Sequence, residues 1–229
     1  MRTLILRASC LVTAVIAACV MPTGPASAAP PGAPANQPIV HQVPTVPLFI
    51  DGVQVAPNTI TQYNGRPLYM AVQPGGSPDG HLVVFTRGAE FERFVAERGG
   101  PPNVLTRPPQ PMPETGESRP QAGGTQSVAC IYCKAYIDEH VFMRGDFLGV
   151  SVGWGYADLT RRRMACFLGI PCNNWNDEAS SATADTVRGE MLWEHIWWGG
   201  SALWIPAPYA LVDLRIFGWN DRTSSFGAY

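Results

Sequence analysis

The 229-residue sequence predicts an all-β fold: a Greek-key β-sandwich over residues 128–229, preceded by a small α+β unit and a disordered Pro-rich linker. Three observations carry this reading. The C-terminal part contains an internal repeat, because Trp175-Asn176-Asp177-Glu178-Ala179-Ser180-Ser181 returns 44 positions later as Trp219-Asn220-Asp221-Arg222-Thr223-Ser224-Ser225. Segments such as Ser201-Ala202-Leu203-Trp204-Ile205 and Leu211-Val212-Asp213-Leu214-Arg215-Ile216 are short, apolar and turn-punctuated, with no helical period. Two copies of about four such strands each make a pair of packed Greek keys.

In chain order, residues 1–28 read as a secretory signal peptide. Arg2 and Arg7 form the basic flank, Leu11 to Val20 the apolar run, and Ala26-Ser27-Ala28 the cleavage site. The run falls short of the roughly 20 apolar residues a transmembrane helix needs, so a secreted chain with no transmembrane segment is expected. Ile16-Ala17-Ala18-Cys19 also resembles a bacterial lipoprotein box, and the alternative is a chain lipid-anchored at the cell surface through Cys19.

Residues 29–44 are Pro/Ala-rich and are expected to be disordered. Residues 45–98 form the small α+β unit. Asp51-Gly52 is a hairpin turn between short strands. Leu68–Val72 and His81–Phe85 are two further strands, with His81 structural. Thr86 is expected to cap a helix that buries Phe91, Phe94 and Val95 and stops at Gly99-Gly100. Residues 99–127 are a Pro/Gly-rich linker with too few apolar side chains to offset the entropy of ordering.

Cleavage of the leader leaves Cys130, Cys133, Cys166 and Cys172, an even number that favours disulfides in an exported protein. Cys166 with Cys172 and Cys130 with Cys133 is the expected pairing, with exchange between the two pairs as the runner-up. Zinc binding and thioredoxin-like chemistry at Cys130-Ile131-Tyr132-Cys133 are the weaker alternatives. The net charge of −2 and a single lysine, Lys134, leave no patch to neutralise phosphates, so nucleic acid is not an expected partner.

The repeat extends upstream of the motif. Val141 to Gly149 aligns with Leu192 to Gly200 as aromatic, four residues, aromatic, one residue, glycine, and Asp158-Leu159 matches Asp213-Leu214. On this alignment the spacing falls from 51 to 44, so copy one carries an insertion, placed at Arg161 to Asn174. The motif itself holds amide, carboxylate and hydroxyl oxygens within six positions, the donor set of a hard cation such as Ca2+.

These residues together resemble the two motifs of a βγ-crystallin domain, over about 100 of 229 residues. The resemblance implies the microbial calcium-binding type, with one site per Asn/Asp-Asn/Asp-x-x-Ser/Thr-Ser hexapeptide. Ser180 and Ser224 would supply hydroxyls. Asn176, Asp177, Asn220 and Asp221 would supply side-chain or backbone oxygens, with Glu178 and Arg222 inside the same loops. Ser181 and Ser225 would bond back to a folded hairpin. A carbonyl from the opposite motif's first hairpin would come from near Met143 and Glu194. Gly149 and Gly200 would tolerate the positive φ of that hairpin over Phe147 and Trp198.

The expected function is therefore a secreted, non-enzymatic calcium-binding protein with Ca2+ ions as partners, the ions stabilising the fold. Some secreted bacterial peptidase inhibitors share the fold. The alternative is thus a metalloprotease inhibitor whose loop at 161–174 meets an extracellular protease; a cell-surface partner is also open. No nucleophile–base set, H-E-x-x-H, phosphate loop or GxSxG occurs, so an enzyme is not expected.

Overall fold

The computed structural model describes residues 37–75, 79–112, 135–164, 173–185 and 188–229, apart from the side chains of 209–211. Expectations for the leader, Cys19, the linker beyond 112, all four later cysteines with their pairing, and the centre of the inserted loop lie outside these residues.

β1 (Leu48–Ile50) and β2 (Val53–Val55) pair antiparallel across Asp51-Gly52. Both turn residues have positive φ, 47° and 84°, a twist that matches the strands of a two-residue hairpin. β3 (Tyr69–Gln73) pairs antiparallel with β4 (His81–Phe85), and β1 runs parallel to β4. Helix α1 (Gly88–Glu97) buries Phe91 and Val95 completely. It is followed by Gly99 at φ 81°, which turns the chain without strain.

Thr86 does not cap this helix. Its backbone N and Oγ1 donate to the Asp51 carboxylate at 2.9 and 2.7 Å, and Arg87 occupies the N-cap with no side-chain capping bond. A carboxylate is the stronger acceptor, so Thr86 turns to the hairpin.

The two repeats are four strands each. Copy one is β6 (Ala135–His140), β7 (Arg144–Val150), β8 (Trp154–Tyr156) and β9 (Ser181–Ala184). Copy two is β10 (Glu190–His195), β11 (Gly199–Ile205), β12 (Tyr209–Asp213) and β13 (Ser225–Ala228). One sheet runs β12-β9-β6-β7; the other contains β11-β10-β13-β8. Each repeat thus lends its third strand to the other's sheet, which makes the chain an all-β Greek-key sandwich.

The structure moves the register of the repeat. Phe142, Met143 and Gly145 have φ of 60°, 57° and 80°; Trp197, Trp198 and Gly200 have 57°, 63° and 74°. A bulge falls between Asp138 and His140 in one copy and between Trp193 and His195 in the other. Glu139-His140 therefore corresponds to Glu194-His195 at a spacing of 55 residues, not 51. Gly145, not Gly149, is the counterpart of Gly200. The motifs are 44 apart, so the insertion in copy one is 11 residues. Its base is paired: Arg163 bridges Asn174, Met164 N donates to Asn173 O at 3.1 Å, and Trp175 N donates to Arg162 O at 2.8 Å.

Residues 45–98 do not stand apart from the sandwich. β3 lies parallel to β11, with Tyr69 opposite Ala202, and extends that sheet to the order β2-β1-β4-β3-β11-β10-β13-β8. Part of the expected linker is ordered as well. β5 (Gln110–Pro111) pairs with β8, Val104 is fully buried, and Tyr229 Oη donates to Val104 O at 2.9 Å. The disorder expected through 44 also ends early. His41 is buried, and its backbone N donates to Asn64 Oδ1 at 2.8 Å. In each case a few buried groups, Pro101, Val104 and Pro109 in one stretch and His41 and Pro44 in the other, anchor a polar stretch onto a sheet that the rest of the chain has built.

The main core lies between the sheets and includes Ile137, Leu192, Leu203, Trp175, Trp219 and Phe226. A second cluster, between α1 and the outer face of β10-β11, holds Phe91, Val95, Val104, Trp193 and Trp204. Glu190 is fully buried at the start of β10, with neither carboxylate oxygen hydrogen-bonded, and burial raises its pKa well above the ordinary carboxylate value.

Candidate metal centre

Trp175 and Trp219, each immediately ahead of a motif, are buried at 1% and 0% exposure. They fix where each hexapeptide leaves the core, and Trp219 Nε1 also donates to Thr223 Oγ1 at 3.0 Å. The second motif residue, Asp177 or Asp221, adopts φ of 57° or 53°, the left-handed conformation that Asp tolerates better than most side chains. Beside each, the Asn amide donates to the carboxylate: Asn176 Nδ2 to Asp177 Oδ2 and Asn220 Nδ2 to Asp221 Oδ2, both at 2.6 Å.

The two loops are crossed. Asp177 N donates to Thr223 O at 3.0 Å, and Asp221 N donates to Ala179 O at 3.1 Å. Ser180 N donates to Asp138 O and Ser224 N to Trp193 O, both at 2.9 Å. Leu214 N donates to Ser180 O and Leu159 N to Ser224 O, both at 3.0 Å. Each motif's Asp is thereby laid against the Ser-bearing end of the other motif. On one side the side chains meet as well, with Ser224 Oγ donating to Asp177 Oδ1 at 3.2 Å.

The serines at the ends of the motifs hold the folded hairpins. Ser181 Oγ donates to His140 O and Ser225 Oγ to His195 O, each at 2.8 Å. The hairpins are also clamped from within. Glu139 Oε2 accepts the Asp146 amide at 3.1 Å, and Glu194 Oε2 accepts the Ser201 amide at 3.2 Å. Glu139 is the residue that sequence reasoning missed. Its signal, the repeated Glu-His dipeptide, was present but was hidden by the mistaken register. Met143 is the counterpart of Trp198, not of Glu194, and stands exposed at the hairpin tip.

The two crossings differ in charge. Around Asp221, the carboxyl of Glu178 is raised first by burial and then by the charges of Asp221 and Glu139. Around Asp177, Glu194 is neutralised by Arg222, whose Nη2 donates to Glu194 Oε1 at 2.8 Å in a buried ion pair. Burial alone would push the Glu194 carboxyl up. The charge and hydrogen bond of Arg222, with the hydrogen bonds of Ser201, outweigh it and hold Glu194 below the ordinary value. Arg222 also donates through Nη1 to Gly218 O at 2.8 Å and lies over the Trp219 ring, so its side chain points inward and away from the loop mouth.

Asp177 and Asp221 are both raised, with burial the largest cause. A partly buried carboxylate beside hydroxyl and backbone oxygens gains from a hard cation, which supplies the charge that burial has stripped of water. Among the described residues no three His, Cys, Asp or Glu side chains converge as a cage. Any cation here would therefore take hydroxyl and backbone oxygens for much of its shell. The motif residues fit that donor set.

No family model and no curated protein matches the chain. A solved structure titled "Evolution of the eye lens beta-gamma-crystallin domain fold" is similar to it at 19% identity, with a TM-score of 0.32, over 46% of this chain and 89% of that one. The Greek-key assignment rests on the strand exchange described above. Among the described residues, no helix is long and apolar enough to cross a membrane.

Proposed function

We propose that this chain is a secreted, non-enzymatic, calcium-binding protein of βγ-crystallin type, whose two W-N-D-x-x-S-S loops each hold one Ca2+ and brace the sandwich. The observation that carries the reading is the crossing of the loops. The Asp of each motif is hydrogen-bonded through its backbone to the other motif, and Ser224 reaches Asp177 directly. An ion at either crossing would tie together two segments 44 residues apart in sequence, so binding would favour the folded state alone.

The test is calorimetric titration of the mature chain with CaCl2, paired with thermal unfolding in chelator and in calcium. Two ions per chain are expected, with dissociation constants on the order of 10⁻⁴ to 10⁻³ M or tighter. The unfolding midpoint rises with calcium, because a ligand specific to the folded state stabilises it by mass action. An unchanged midpoint up to about 10 mM calcium, roughly ten times the weak end of that range, would overturn the proposal.

A further inference from the structure

A cavity of about 540 Å³ lies where the N-terminal segment and β3 meet the folded hairpin of the second repeat. Its lining includes Gln37, Tyr69, Leu105, Trp193, His195 and Trp198. The volume falls within the range of small-molecule sites, and the position, at a junction between structural units, is where such sites concentrate.

From this lining we infer a binding site for a neutral saccharide of about disaccharide size, independent of the cation loops. Among the described residues that line it there is no Lys, Arg, Asp or Glu, so only the His195 imidazole could offset the charge of an ionic ligand. It does have aromatic rings at the wall. Trp198 is half-buried and braced edge-on by the buried Trp193, with ring centroids 4.8 Å apart at 63°. Tyr69 is half-buried on the opposing β3. Aromatic faces are electron-rich, and the C–H face of a pyranose is their complement.

The polar groups fit the other half of a sugar. The Gln37 amide and His195 imidazole can both donate and accept, as hydroxyl groups require. Gly200 lets the imidazole lie across the hairpin, since a Cβ there would meet His195 Cδ2 at 2.8 Å. The equivalent hairpin of the first repeat keeps His140 and Gly145, but it has Asp138 where the second has Trp193 and the exposed Met143 where the second has Trp198. The site is therefore a property of the second copy.

The test is calorimetric titration of the mature chain with cellobiose, chitobiose and maltose, in chelator and again in calcium, with a proline-rich decapeptide as the rival occupant. At least one disaccharide should bind in both buffers. Trp198→Ala should weaken it at least tenfold. Gln37→Ala, at an exposed position, should weaken it severalfold with an unchanged unfolding midpoint, so loss of affinity is separated from loss of fold. The inference is overturned by no disaccharide binding at 10-mM-scale concentrations, about ten times a weak 1 mM constant. Affinity insensitive to both substitutions, or binding of the peptide alone, overturns it equally. Binding that persists in chelator is expected whether or not the loops hold calcium, so the two proposals fail separately.

Discussion

Ser224 Oγ donates to Asp177 Oδ1 across 47 residues of sequence, joining the hydroxyl of the second motif to the carboxylate of the first. This pairing decides what single substitutions should do. Ser224→Arg places a cation beside Asp177 and should remove the site there. Ser180→Arg should remove the site beside Asp221. Each variant is expected to bind one calcium where the parent binds two, measured by calorimetry. A variant that still binds two would show that the hydroxyl is turn chemistry only.

The crossings should also differ in affinity. The Glu178 carboxyl feels the negative charges of Asp221 and Glu139, with that of Asp177 smaller, whereas the Glu194 carboxylate near Asp177 is paired with Arg222. The Asp221 site is therefore expected to be the tighter. Glu178→Gln should weaken it by about tenfold, the effect of removing one nearby charge at an effective dielectric between that of water and protein. Competition of Ser224→Arg and Ser180→Arg against a calcium dye gives the two constants separately. Equal constants would remove the charge argument.

Much of this site was legible in the sequence, and the reason is local. The W-N-D-x-x-S-S loops are short segments whose left-handed Asp and Asn–Asp side-chain bond lie within adjacent residues, although their serines bond to partners distant in sequence. The first hairpin was misplaced because Phe142 and Phe147 share a five-residue spacing with Trp193 and Trp198, and aromatics outweighed the polar Glu139-His140 landmark. The parallel pairing of β3 with β11 was invisible, because it joins Tyr69 to Ala202 and leaves no pattern in either segment. The Arg222–Glu194 pair was hidden for the same reason.

That buried pair yields a prediction on stability. Arg222 and Glu194 side chains are 6% and 9% exposed. Arg222→Leu leaves the Glu194 carboxylate buried without its partner and should destabilise the chain by about 3–5 kcal/mol in denaturant unfolding. Removing both charges, as Arg222→Leu with Glu194→Met, should recover much of that loss. A double variant as unstable as the single one would show that Arg222 acts through packing on Trp219 instead.

The N-terminal segment gives a steric test. Gly218 has φ 69°, and a Cβ there would lie 2.4 Å from the backbone oxygen of Gln42. Gln42 Nε2 donates to Asn220 O at 2.9 Å, and Thr45 N donates to Ile216 O at 2.8 Å, so residues 42–45 lie on the second W-N-D-x-x-S-S motif and the turn before it. Gly218→Ala should lift this segment and cost about 1–3 kcal/mol, combining φ strain with the clash. Faster proteolysis near residues 42–45 is the expected readout. Unaltered cleavage there would mean the loop yields rather than the segment.

Stability should fall as pH rises, through two buried carboxyls. Burial raises Asp138 to about 6, against a lowering by its Ser181 hydrogen bond, and raises Glu190 well above the ordinary value. A raised folded value means that the native chain binds more protons than the unfolded chain above about pH 4. The contribution is fully present below that pH. The share of Asp138 is lost as pH climbs to about 6, and that of Glu190 over a wider range above. Glu194, held low by Arg222, and His41, lowered by burial, act in the opposite sense, Glu194 as pH falls below the ordinary carboxylate value and His41 as it falls below the ordinary imidazole value of 6.5, so they offset part of the fall. Thermal unfolding in chelator should thus show a falling midpoint from about pH 5 to 7. Glu190→Gln keeps the shape of a neutral carboxyl and should flatten that fall, raising the midpoint by a few degrees at pH 7 and little at pH 4. Parallel pH profiles for the two proteins would mean that Glu190 does not carry its proton into the fold.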